Sequence, residues 1–167
     1  MKHLGHLQYF LGLEVQTTLE GTYLHQHKYT QEVITLAGLQ DGNSVLTPLE
    51  VNLILQREKG ELLSNPSFYK QLVGSLNYLA ITRLDISFVV QQVSQFMQAP
   101  HHIHLAIVRL IICYLKGTSQ RGLFFPVGSS LLLASYSDVD WAGCVDTRRS
   151  DTGWCTFLKN ALYLLEL

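Results

Sequence analysis

The run from Asn65 to Gly117 constrains the fold most, because three stretches in it carry apolar side chains at helical spacing with stop signals between them. Asn65 precedes Pro66, a capping residue followed by the imino acid that the first turn of a helix accepts without losing a hydrogen bond. Phe68, Leu72, Val73, Leu76, Leu79 and Ala80 then share one face. A second helix is expected with Asp85 as its cap, Ile86, Val89, Val90, Val93, Phe96 and Met97 inward, and Gln91, Gln92, Ser94, Gln95 and Gln98 outward. A third starts after Pro100 and ends at Gly117. Stripes of this kind must cover one another, so the sequence predicts a three-helix packing.

Strands flank it. From Leu7 to Val15 the chain alternates, with Tyr9, Leu11, Leu13 and Val15 on one face, and Tyr23 to Gln26 pairs back across a Thr17 to Gly21 loop as a β-hairpin. Thr30 is the expected cap of a short helix through Ala37, with Gly38 as its C-terminal stop. No period holds from Leu39 to Leu63. Asp41-Gly42-Asn43, Thr47-Pro48 and Lys59-Gly60 mark a connecting stretch over the surface. Towards the C-terminus Leu131, Leu133, Ser135 and Ser137 alternate with Leu132, Ala134, Tyr136 and Asp138, and Gly153 to Leu158 and Leu162 to Glu166 supply two more strands. The fold class is α+β.

A chain of 167 residues makes one domain, or one small domain plus part of another, and 47% hydrophobic residues are enough for a core. Lys and Arg number 12 against 13 Asp and Glu, for a net charge of −1, so no global positive excess draws the chain onto phosphates. Cys113, Cys144 and Cys155 form no Cys-x-x-Cys pair, and with no signal peptide they read as packing residues in a reducing compartment. The longest apolar run, Leu105 to Leu115, is broken by Arg109 and falls short of the roughly 20 residues of a membrane helix. No membrane segment or targeting sequence is read.

Four features touch chemistry. Asp138 closes an apolar strand, a seat where a carboxylate can hold Mg²⁺ through hard oxygen ligands; a solvated acidic turn fits the same residues. Arg148-Arg149 fits a phosphate backbone or a solvated turn between strands. His101, His102 and His104 crowd the start of the third helix, but only His101 and His104 share a face. No cysteine or carboxylate stands near in sequence to complete a tetrahedral metal site, which argues against one. His3, His6, His25 and His27 are expected on the surface of the hairpin region.

Ser137-Asp138-Val139-Asp140-Trp141-Ala142-Gly143, with Thr147-Arg148-Arg149-Ser150 and Gly153-Trp154-Cys155, resembles the opening of the ribonuclease H domain in copia-type retrotransposon polyproteins. Upstream, Gln71-Leu72-Val73-Gly74-Ser75-Leu76-Asn77-Tyr78-Leu79, Thr82-Arg83-Leu84-Asp85-Ile86-Ser87-Phe88, Ser94-Gln95-Phe96-Met97 and Tyr114-Leu115-Lys116-Gly117-Thr118 resemble that family's reverse-transcriptase tail. The resemblance runs from Met1 to about Ala161. It implies residues 1–63 as the end of the polymerase palm and a connecting stretch, with Tyr9 to Val15 near the segment that grips the primer. It further implies 64–127 as a helical, thumb-like region and 128–167 as a truncated ribonuclease-H-like domain with an incomplete antiparallel sheet.

The parent activities so implied are RNA-directed DNA synthesis and cleavage of the RNA/DNA hybrid with Mg²⁺, and the implied partner is that hybrid. Asp138 is the one residue that maps onto a catalytic acid, and it would bind Mg²⁺ weakly by itself. Lys116, Arg121, Arg148 and Arg149 are the candidate, weak nucleic-acid contacts. Several departures stand out. No Asp-Asp pair occurs anywhere, Leu84 replaces a proline after the Thr-Arg pair, Leu110 and Cys113 stand where relatives are basic, and Ala161 to Leu167 leaves the family pattern. The expectation is a non-autonomous remnant, inactive alone and holding no cofactor tightly. The alternatives are a module that docks on nucleic acid or on a polymerase, and a ribonuclease H fragment completed by another chain.

Overall fold

The computed structural model describes residues 7–49, 60–128, 132–140, 150–158 and 161–166. Elements follow in the order β1 (Tyr9–Phe10), β2 (Leu13–Thr17), β3 (Gly21–His25), α1 (His27–Leu36), α2 (Pro66–Leu79), a 3₁₀ turn (Leu84–Ile86), α3 (Ser87–Ser94), α4 (His102–Gly117), β4 (Leu123–Pro126), β5 (Leu133–Asp140), β6 (Asp151–Leu158) and β7 (Ala161–Glu166). All strand pairings are antiparallel, in two sheets ordered β1-β2-β3-β4 and β5-β6-β7. The α+β class holds.

The hairpin across Thr17 to Gly21 is present as β2 and β3. Its first arm differs from expectation, since Leu7 to Val15 is not one strand. Leu11 and Gly12 both have positive φ, 48° and 77°, and together make the two-residue turn that pairs Phe10 with Leu13. Leu11 lies in that turn, its carbonyl accepting the Tyr78 hydroxyl, and it is mostly exposed rather than on a buried face.

Helix α1 starts three residues earlier than Thr30. The backbone N–H of Lys28 in its first turn donates to the Glu14 carboxylate of β2 at 2.8 Å, so the cap comes from the neighbouring strand. Thr30 is buried instead, its hydroxyl donating to the Gln26 carbonyl one turn back at 2.8 Å. At the other end Gly38, with φ of 66°, ends the helix as expected: its N–H reaches the Thr35 carbonyl and that of Leu39 the Ile34 carbonyl.

Among the described residues four helices enclose the core, the short helix α1 joining the three expected to pack together. Val33, Ile34 and Ala37 of α1 join Leu72, Val73, Leu76 and Leu79 of α2, Val89, Val90 and Val93 of α3, and Ile107, Val108, Ile111, Ile112 and Leu115 of α4. Asn65 and Pro66 begin α2 as the sequence predicts, with Asn65 Oδ1 accepting from the Ser67 N–H at 3.2 Å. The face is turned slightly from expectation. Tyr69 is fully buried and donates its hydroxyl to the Val93 carbonyl at 2.6 Å, while Phe68 is only partly covered.

Asp85 does not cap α3. Residues 84–86 form a 3₁₀ turn, Ser87 is the first residue of the helix, and the Asp85 carboxylate is engaged elsewhere. Helix α4 spans the predicted interval to Gly117. Its entrance is pinned by the histidines. The Nδ1 of His101 donates to the Gly60 carbonyl at 2.8 Å, and the His101 N–H donates to His104 Nδ1 at 3.0 Å. His104 is fully buried and stacked on Phe96, with ring centroids 3.9 Å apart. These two histidines therefore lock a helix end. His25 is also buried, against the surface placement expected, and His3 and His6 lie outside the described residues.

Candidate functional site

Two places carry polar chemistry, the strand that bears Asp138 and the cleft where the 3₁₀ turn meets α4 and β4. Strand β5 runs two residues past Asp138, so this acid sits within the strand and not at its last position. It is exposed, and its Oδ1 accepts the N–H of Val139 at 2.9 Å. The β5–β6 register is unbroken over eight pairs. It sets Asp138 opposite Gly153 and Asp140 opposite Asp151. Among the described residues no group of three His, Cys, Asp or Glu side chains is placed to hold a metal ion. Asp138 by itself offers one carboxylate, a hard oxygen donor of the kind Mg²⁺ accepts.

In the cleft, Arg83 is 2% exposed and each of its three guanidinium nitrogens is engaged. Nε and one terminal nitrogen donate to the two oxygens of Asp85 at 2.9 and 2.8 Å, and the Thr118 carbonyl and hydroxyl accept at 3.0 and 2.7 Å. Tyr114 donates its hydroxyl to the same Asp85 carboxylate at 2.6 Å, and Arg121 donates to the Tyr114 oxygen at 2.9 Å. Burial raises the Asp85 carboxyl pKa, but the hydrogen bonds from Arg83 and Tyr114 and the Arg83 charge outweigh it and hold the pKa below its ordinary value. Burial, and then the bond to Asp85, raise the Tyr114 hydroxyl. This chain of groups ties the turn before α3 to the C-terminal end of α4. Helical periodicity does not mark this pairing, since Arg83 and Asp85 precede the second apolar stripe and their partners lie some 30 residues away.

Of the four basic candidates, Lys116 and Arg121 lie among the described residues, and each is engaged separately. Lys116 donates to the carbonyls of Leu39, Gln40 and Gly42, at 3.3 Å to the first and 2.7 Å to the last, so its ammonium closes the loop after α1. Arg121 has a side chain 62% exposed beside the cleft that Phe124 and Leu162 also line. Arg148 and Arg149 lie outside the described residues, as does Cys144. Cys113 and Cys155 are free and half-buried. No described helix is long and apolar enough to cross a membrane.

A mixed α+β segment with antiparallel sheets, one of them carrying the exposed Asp138, is the class that fold and site define. No protein-family model and no solved structure matches the chain. It is 39% identical over 158 residues to an uncharacterized mitochondrial protein of Arabidopsis thaliana, covering 95% of this chain and 65% of that protein. The retrovirus-related Pol polyprotein from transposon RE1 of the same plant is 39% identical over 152 residues, and that from transposon TNT 1-94 of Nicotiana tabacum is 36% identical over 174 residues. Over most of its length the chain is thus homologous to one segment of the retrovirus-related Pol polyproteins of copia-type transposons, at 36–39% identity. It spans about two-thirds of the mitochondrial relative but only 10% and 13% of these two polyproteins.

Proposed function

We propose that this chain is a transposon-derived segment carrying the tail of a reverse transcriptase and the opening of its ribonuclease H domain, and that by itself it performs neither reaction. The observation that carries the reading is Asp138, an exposed acid on the first strand of a three-stranded antiparallel meander, within the Ser-Asp-Val-Asp-Trp-Ala-Gly run that resembles the nuclease opening. The buried four-helix cluster upstream supports a thumb-like region.

Cleavage by two metal ions needs one ion on the attacking water and another on the leaving oxygen, about 4 Å apart, held by several carboxylates. Asp138 supplies one ligand to that arrangement. Mg²⁺, when bound in the parent enzyme, would lower the pKa of the attacking water and stabilise the leaving oxygen; Asp138 would fix its position from the strand. Incubating a labelled RNA/DNA hybrid with the chain in Mg²⁺ or Mn²⁺, beside an Asp138→Asn variant, tests the reading. No cleavage by either is expected. Cleavage by the parent that the variant lacks would overturn it.

A further inference from the structure

The loop that leaves α1 is tied down from another helix. Lys116 of α4 sets its ammonium on the carbonyls of Leu39, Gln40 and Gly42. One residue further on, Gly117 lies so close to the loop that a Cβ there would come within 2.9 Å of the Ser44 Cβ. Beneath these contacts Leu39 and Val45 pack, half-buried, against the helical core. The ammonium thus brackets Asp41 and Gly42, which form the one Asp-Gly or Asn-Gly pair in the sequence. Both are exposed, and among the described residues no hydrogen bond or ion pair engages the Asp41 carboxylate. Gly42 has no Cβ to shield its nitrogen, and its N–H is held only by a long bond of 3.3 Å to the Leu39 carbonyl.

We propose that Asp41–Gly42 is a site of spontaneous backbone modification, a conversion of aspartate to isoaspartate that the Lys116 ammonium restrains. The Gly42 nitrogen adds to the side-chain carboxyl carbon of Asp41, its proton and the carboxyl hydroxyl leave as water, and a five-membered succinimide closes. Water then reopens the ring, its hydroxyl going to one of the two ring carbonyls and its proton back to the nitrogen. Addition at the side-chain carbonyl restores Asp41. Addition at the main-chain carbonyl leaves an isoaspartyl residue, whose backbone runs through the side-chain methylene and whose former α-carbonyl is a free carboxylate. Ring closure requires the Asp41 backbone to rotate until the Gly42 nitrogen faces the carboxyl carbon. Lys116 resists that rotation by fixing the carbonyls on either side, those of Gln40 and Gly42. The local opening that lifts the loop off the ammonium is therefore the step that admits the reaction. Once formed, the isoaspartyl residue adds one main-chain atom between those two carbonyls. They no longer both reach the ammonium while Ser44 stays against Gly117, so the modified loop is released from α4.

The test is to hold the purified chain at neutral pH and physiological temperature for weeks and map its peptides by electron-transfer fragmentation, which separates isoaspartyl from aspartyl. Isoaspartate is expected to accumulate at position 41 ahead of every other Asp and Asn. Gly42 does not have a positive φ, and a Cβ on it would meet nothing nearer than the Leu39 carbonyl, at 3.5 Å. Gly42→Ala is therefore expected to keep the circular dichroism spectrum of the parent and to slow the conversion severalfold. Lys116→Gln is expected to speed it severalfold in the folded chain. In concentrated urea, where the loop is gone, parent and Lys116→Gln should convert at the same rate. Faster isoaspartate formation at another position, an unchanged rate in Gly42→Ala, or a folded Lys116→Gln no faster than the parent would each overturn the proposal. So would a difference between the two chains that persists in urea, since it would place the effect of Lys116 outside the folded loop.

Discussion

Arg83 and Asp85, two residues apart in sequence, face each other through two parallel hydrogen bonds of 2.9 and 2.8 Å. This forked pair is the geometry in which a guanidinium and a carboxylate hold each other most firmly, and Tyr114 and Thr118 extend it into the end of α4. Its consequence is measurable as acid sensitivity. The Asp85 carboxyl is lowered in the folded chain, so the stability it contributes is complete above the unfolded value of about 3.9 and is lost as pH falls through the folded one. Asp85→Asn is expected to cost about 1–3 kcal/mol at neutral pH. The gap between variant and parent should narrow below about pH 4. Urea denaturation at several pH values measures both; parallel pH profiles would contradict the assignment.

Leu76 is fully buried where α2 meets the rest of the core. Leu76→Ala is expected to lower stability by about 2–5 kcal/mol, the transfer term plus the cavity left behind. Phe68→Ala, on the partly covered flank of the same helix, should cost clearly less. Equal losses in thermal or urea unfolding would mean that the buried face of α2 is wrongly oriented.

Gly12 combines a φ of 77° with a neighbour, the Tyr78 hydroxyl, in the space that a Cβ would occupy. Gly12→Ala should therefore cost roughly 1–2 kcal/mol from the backbone alone, with Tyr78 forced off the Leu11 carbonyl. Equilibrium unfolding reads the cost, and a neutral result would show that the turn adopts another form.

Binding to nucleic acid should be weak and steeply salt-dependent, since a net charge of −1 leaves only local phosphate contacts. Arg121→Ala, which removes an exposed cation, is expected to lower the slope of log affinity against log salt by about one. Lys116→Ala should leave that slope alone and destabilise the loop after α1, whose carbonyls the ammonium holds. Titrations of an RNA/DNA hybrid by fluorescence anisotropy at several salt concentrations separate the two; tight, salt-insensitive binding would contradict both expectations.

What was legible in the sequence follows physical range. Asn65-Pro66, Gly38 and the stop at Gly117 are local signals with local causes, and each appears where expected. The split of the first strand at Leu11 was not legible, because leucine rarely accepts a positive φ and only Gly12 hinted at a turn. The cap of α1 was missed because it is lent by Glu14, and the role of Asp85 because capping competes with a buried arginine that periodicity does not show. At the candidate site, Asp138 was legible as an exposed strand acid, whereas its position two residues short of the strand end depends on pairing with β6. The seat of Lys116 on three carbonyls depends on a loop more than 70 residues away.

The pairing of β3 with β4 joins Gly21–His25 to Leu123–Pro126, across roughly a hundred residues of chain that contain every described helix. During synthesis the N-terminal hairpin must therefore wait, with one strand edge open, until α4 has been made and its exit turned back. Closing so long a loop is slow unless the helices first collapse and bring the two strands together. The helical core thus acts as the clock for the first sheet, and a slowly collapsing core would lengthen the time for which β3 offers its open edge to other nascent chains.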